Sequence, residues 1–304
     1  MLKTNRKASK KNYPNAGFSL VELLVAIVMF GTITIAGFSL FREQSRINQW
    51  QQNQLEMQSS ARAAMQVLIQ SFNHAGFGCS ENISSGNDVA GEDNFLNPAN
   101  QNFTGTTPDS VTLVYGFDHV ATVDANVLDS KSFTVDTPAL IDTTNENKYI
   151  CFFPSFSPNN FYEVTGKIAN SITVNKIIRL DKFARIFRVN PLQYTVVNGT
   201  LQEREINRSE VIIYDVQDFQ LAYTDDEENL NTPANWEDAP ANPENVKAVW
   251  IYMILRTRER VAGHQENRIF RLPWDAGQSF NGNTLPAGFH YQEFQTQVWL
   301  RNAN

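Results

Sequence analysis

A single acid stands inside a long apolar run. From Phe18 to Phe41 the chain reads FSLVELLVAIVMFGTITIAGFSLF, and Glu22 is its only charge. A carboxylate in a lipid-spanning helix costs a few kcal/mol on insertion scales and is normally kept for a partner. Its available chemistry is therefore charge pairing. The other reactive side chains are sparse. Cys79 and Cys151 are the only cysteines, too few for an all-cysteine zinc site and too distant for a CxxC redox pair. In an exported domain they read as a disulfide, whose loop would stabilise by roughly 4 kcal/mol in the chain-entropy picture, or else as two buried thiols. His74, His119, His264 and His290 are scattered and form no HExxH or other ligand spacing. Asp225, Asp226, Glu227, Glu228 and Asn229 form an acidic loop. Asp225, Asp226 and Glu228 are its candidate calcium ligands, but the glycine and terminal glutamate of an EF-hand are missing, and a solvated loop is the simpler reading. No GxSxG elbow or P-loop occurs, and no cofactor is implied.

The element that must hold Glu22 is a helix. Twenty-four residues at about 1.5 Å rise reach roughly 36 Å, enough to cross the hydrocarbon core. Lys3, Arg6, Lys7, Lys10 and Lys11 all precede it. The positive-inside rule then keeps that end in the cytoplasm and sends everything after Arg42 to the far side. A secretory signal carries its small-residue cleavage site after the apolar stretch. Here the order is reversed: Gly17 comes before the run and Phe18 begins it.

The segment GFSLVELLVAI, Gly17 to Ile27, resembles the type IV prepilin motif: Gly, then an apolar aromatic, then Glu at the fifth position after the cut. The resemblance implies that a prepilin peptidase cuts between Gly17 and Phe18, that Phe18 is N-methylated, and that the helix stays as the anchor. It also implies that Glu22 pairs with the new amine of Phe18 on a neighbouring subunit. The alternative is a plain anchor with Glu22 near the headgroups. Gly31 and Gly37 each weaken the helix by about 1 kcal/mol relative to Ala. The mid-helix proline of many major pilins is absent.

Residues 42–74 contain no Pro or Gly and are rich in helix formers. Leu55, Ala61, Met65, Leu68 and Phe72 recur at helical spacing as a stripe for the core of a head. One helix from Phe18 to about Asn73, roughly 84 Å long, is expected, with Gly76 and Gly78 ending it. The domain organisation read from this is a basic leader at 1–17, an N-terminal helix at 18–74 with 18–41 in the membrane, and a β-rich head at 75–304. Residues 80–110 read as loop. Strands are expected at Val111–Phe117, Lys148–Phe153, Ser171–Ile178, Ala184–Val189, Tyr194–Val197, Val211–Tyr223, Val246–Arg256 and Phe289–Leu300. Asn198-Gly199 is a two-residue hairpin signal. The fold class is α+β: a long N-terminal transmembrane and amphipathic helix packed on a mostly antiparallel sheet. The aromatic stretch CFFPSFSPNNFY, Cys151 to Tyr162, either covers the head's own core or contacts a partner.

The segments ARAAMQVLIQSFNHAGFGC, VIIYDVQDFQLAYTDDEEN, VKAVWIYMILRTRE and the ending FQTQVWLRN look like the PilW-like minor pilins in content and order. The type II secretion pseudopilin J shares the plan. This resemblance implies a minor pilin of the type IV pilus that helps prime the filament. Its partners would be prepilin peptidase, other minor and major pilins, and the inner membrane, crossed once with the head periplasmic until it joins the pilus. Readings of another class are a membrane-anchored periplasmic enzyme and a DNA-uptake pilin. The formal charge of -7, with five bases gathered before Glu22, leaves an acidic head, a poor match to nucleic acid.

Overall fold

The computed structural model describes residues 19–77, 95–99, 108–144, 148–153, 161–205, 208–261, 263–275, 279–281 and 284–300. The chain divides into two compact units, Met1–Gln52 and Asn53–Asn304, and the division falls within one helix.

That helix, α1, runs Leu20–His74 without a break. Gly31 and Gly37 sit inside it, and a Cβ at either would meet nothing. It stops where the sequence offers a residue free to adopt φ > 0: Gly76 has φ 77°. The stop is stitched to the sheet, because the Gly76 N–H donates to Val114 O at 3.3 Å.

The strands are β1 (Leu96–Ala99), β2 (Ser110–Thr122), β3 (Val127–Thr134), β4 (Tyr149–Phe153), β5 (Tyr162–Ile168), β6 (Ser171–Leu180), β7 (Arg185–Val197), β8 (Thr200–Arg204), β9 (Ser209–Tyr214), β10 (Val216–Thr224), β11 (Ala248–Arg256), β12 (Ile269–Arg271), β13 (Ser279–Asn281) and β14 (Tyr291–Trp299). Every ladder between them is antiparallel. The large sheet has the order β1-β2-β7-β4-β5-β6-β3, with β8 added to β7 and β9 to β8. A second sheet is β10-β11-β14, and β12 pairs with β13.

One core joins α1 to both sheets. Met57, Ala61, Ala64, Met65, Leu68 and Phe72 of α1 pack with Leu113, Tyr194, Leu201, Phe219, Met253 and Val298, among others. Leu55, assigned to this stripe from its spacing, is instead exposed, and Met57 is buried. β11 shows why its sequence AVWIYMILR is apolar throughout. Val249, Ile251, Met253 and Leu255 face the helix core, whereas Ala248, Tyr252 and Ile254 face a second core with Trp236, Phe270 and Trp274. A strand covered on both faces loses the polar half of the period-two pattern.

Asn198 (φ 52°) and Gly199 (φ 74°) close the β7–β8 hairpin with both residues left-handed, as a type I′ turn requires. Three other expectations are revised. The run Val211–Tyr223 is not one strand, because Asp215 (φ 62°) breaks it, leaving β9 in the large sheet and β10 in the small one. The runs Ala184–Val189 and Tyr194–Val197 are one strand, β7, continuing through Pro191 where its neighbour changes from β4 to β8. The loop assigned to 80–110 contains β1. From the aromatic stretch, Phe152, Phe161 and Tyr162 are buried and Phe153 is exposed; residues 154–160 lie outside the described residues.

Candidate functional site

Gly17 and Phe18 lie outside the described residues, and the site begins at Ser19. The Ser19 N–H donates to Glu22 Oε2 at 3.1 Å, and Ser19 Oγ accepts the Val21 N–H at 3.4 Å. Side chain and backbone thus cap one another at the start of α1, the reciprocal arrangement of a capping box. A carboxylate in the first turn also meets the positive end of the helix dipole. Oε1 of Glu22 has no partner among the described residues, so one oxygen holds the cap while the other is open to a cation. The pattern S-x-x-E ahead of an apolar run was the signal for this cap, and Ser19 is the residue that attention to Glu22 alone passes over.

Beyond that cap, the first part of α1 has no polar group in need. Thr32 Oγ1 donates to Met29 O (2.8 Å), Thr34 Oγ1 to Phe30 O (2.7 Å) and Ser39 Oγ to Ala36 O (2.7 Å). Each hydroxyl is satisfied by its own helix. The most apolar 18-residue window of α1 has mean hydropathy 2.3 and is buried nowhere in the protein. The helix is long and apolar enough to cross a bilayer, and this is an N-terminal apolar anchor followed by a soluble head.

In the head, the candidate calcium loop is organised by hydrogen bonds. Asp226 Oδ1 accepts the Glu228 and Asn229 N–H groups, and Oδ2 accepts the Asn229 and Asn235 side-chain amides. The Asn229 amide, first among these donors, holds the Asp226 carboxyl below its usual pKa. These four bonds tie both Asp226 oxygens into the loop's own structure. No metal-binding group of three His, Cys, Asp or Glu residues occurs among the described residues.

Cys151 is fully buried in β4 with no disulfide partner among the described residues, and burial pushes its thiol pKa up to about 12. Its expected partner Cys79 lies outside the described residues. A Cβ on Gly116 would come within 2.6 Å of Cys151 Sγ, so only glycine fits beside it.

Two of the four histidines meet. The rings of His264 and His290 lie 3.6 Å apart, and burial lowers the pKa of His290. Beside them, Glu266 accepts bonds from Arg268 Nε (2.9 Å) and Nη2 (2.8 Å), and these hold its carboxyl down to about 2 against the opposing effect of burial. Arg268 also donates to Tyr291 O. No local sequence signal announces the tilted His264–His290 ring contact, since the two are brought together by the pairing of β11 and β14.

Residues 13–40 match the family model described as the prokaryotic N-terminal methylation motif, and residues 189–302 match the model described as type IV pilus-assembly protein W. The second match covers most of β7 and every strand after it. A solved type IV-like pilin from Thermus thermophilus aligns with 82% of this chain and 98% of its own at 11% identity and a TM-score of 0.36, too low to equate the two folds. No curated protein shows a significant match in sequence.

Proposed function

We propose that this chain, a type IV prepilin-like minor pilin with a methylation-motif N-terminus and a head segment like pilus-assembly protein W, acts structurally in priming filament assembly. The observation that carries the reading is the Ser19–Glu22 cap, set at the entry to a helix whose residues from there to Phe41 are otherwise uncharged. Prepilin peptidase cuts between Gly17 and Phe18, and the new Phe18 amine arises one residue before the N–H that Glu22 already accepts. Processing thereby creates a cation beside a carboxylate that has an oxygen to spare. In the membrane the charge of Glu22 is costly until such a cation is near, so an uncleaved subunit lacks the pairing that a cleaved one offers to its neighbours.

The same reading sets topology and partners. Five basic residues ahead of the anchor hold the N-terminus in the cytoplasm. The helix crosses the inner membrane once and the head folds in the periplasm. Other minor and major pilins receive it there, and no nucleic acid is involved. Mass spectrometry of the mature N-terminus tests the first step: the expected product begins at methylated Phe18, whereas an intact Met1 or a cut after Phe41 overturns the reading.

A further inference from the structure

The head contains a seam where the start of β2 meets the open edge of β10, and Asp109 crosses it twice. Its backbone N–H donates to Phe219 O at 2.8 Å, and its Oδ2 accepts the Leu221 N–H at 2.8 Å. Asp218 on β10 uses Oδ1 to accept the Phe219 N–H and the Gln220 side-chain amide, both at 2.9 Å. The two acids are 2% and 4% exposed. Among the described residues, Asp109 Oδ1 and Asp218 Oδ2 are buried without a hydrogen-bond partner. Buried carboxylates are tolerated when paired, and here neither spare oxygen is.

The charges around them among the described residues do not supply that pairing. Asp218 faces Asp109 from β10 and Asp238 from the segment after it, and both disfavour a second negative charge. Asp238 is engaged by Trp274 Nε1 at 2.9 Å. Tyr252 of β11 donates to Glu293 of β14 at 3.0 Å, adding another acid on that side of Asp218. Arg256, which lines a neighbouring cleft with Pro108 and Gln217, is held by Asp215 at 3.4 Å.

We propose that Asp109 is a proton-operated latch between the two sheets: its neutral carboxyl closes the β2–β10 seam, and loss of that proton loosens it. A proton on Oδ1 removes the charge without disturbing the Leu221 bond to Oδ2. Burial, reinforced by Asp218 and Asp238 and opposed by the Leu221 N–H, raises the Asp109 pKa to about 8. The folded value lies above the unfolded one, so the folded head binds a proton that the unfolded chain has released. Stability from this site is therefore complete in acid and declines as pH climbs from about 4 through about 8.

The test uses the full chain in detergent micelles, with thermal unfolding and amide exchange followed from about pH 6 to pH 9. The midpoint is expected to fall by roughly 5 °C over that range, and the Leu221 amide to lose protection ahead of other β10 amides. Asp109→Asn keeps the shape of the neutral acid and should flatten the profile. Infrared spectra of the wild type should show a protonated carboxyl band at pH 6 that disappears by pH 9, a readout that holds even if the variant does not fold. An unchanged slope in Asp109→Asn, the absence of that band, or a wild-type profile shifted by calcium or by a chelator would overturn the latch, the last by showing that a cation and not a proton neutralises the pair.

Discussion

Phe30 and Phe72 occupy the same helix and have the same side chain, yet Phe30 is 73% exposed and Phe72 fully buried. The first stretch of α1 is apolar on every side and the protein covers none of it. The second gathers Met57, Ala61, Ala64, Met65, Leu68 and Phe72 into one stripe, and the head covers that stripe, leaving Leu55 outside it. Backbone hydrogen bonding is the same in both, so secondary structure does not tell them apart. The solvent each half is built for does: hydrocarbon for the first and a protein core for the second. Anchoring and head folding accordingly fall to separate ends of one element.

Substitutions can separate the two roles. Glu22→Ala should give the largest effect on assembly, a loss of at least about tenfold in incorporation into filaments, equivalent to about 1.4 kcal/mol or more, with the unfolding of the head unchanged. Normal incorporation would dissolve the contrast. Phe72→Ala should destabilise the head by about 3–5 kcal/mol in denaturant unfolding, while Phe30→Ala should shift it by less than about 0.5 kcal/mol; equal effects would mean the halves share one core.

Glu266→Gln probes the head alone. The folded carboxyl titrates at about 2, below its unfolded value. Stability from the Arg268 pair is thus complete above about pH 5 and drains away as pH falls toward 2. The variant should lose about 2–3 kcal/mol at pH 7 and show a flatter acid limb, checked by unfolding at a series of pH values. Gly199→Ala should cost less than Glu266→Gln, about 1 kcal/mol, because alanine must adopt the φ of 74° that the turn imposes.

Local chemistry was readable from sequence and long-range geometry was not. The uninterrupted helix, its glycine stop, the Asn198-Gly199 turn and the doubly apolar β11 each follow from residues close in the chain. β1, β3, β5, β12 and β13 escape the sequence pattern because LNPA, VLDSKSFT and YEVTGKI mix in polar residues, proline or glycine and IFR and SFN are only three residues long, and pairing partners decide such cases. The change of sheet at Asp215 depends on one left-handed residue that nothing in VIIYDVQDF advertises. At the site, Glu22 was legible by type and Ser19 by spacing. The roles of Asp109, Asp226 and the His264–His290 pair rest on contacts that only the folded head creates.

The stripe from Met57 to Phe72 shares its core with Val298 and Leu300. The part of the head made first is therefore finished by the part made last. A ribosome adding about 5–20 residues per second leaves those early greasy side chains without their final cover for some tens of seconds. Losing even the last strand, β14, with the Val298 it contributes would leave that early stripe without its final cover.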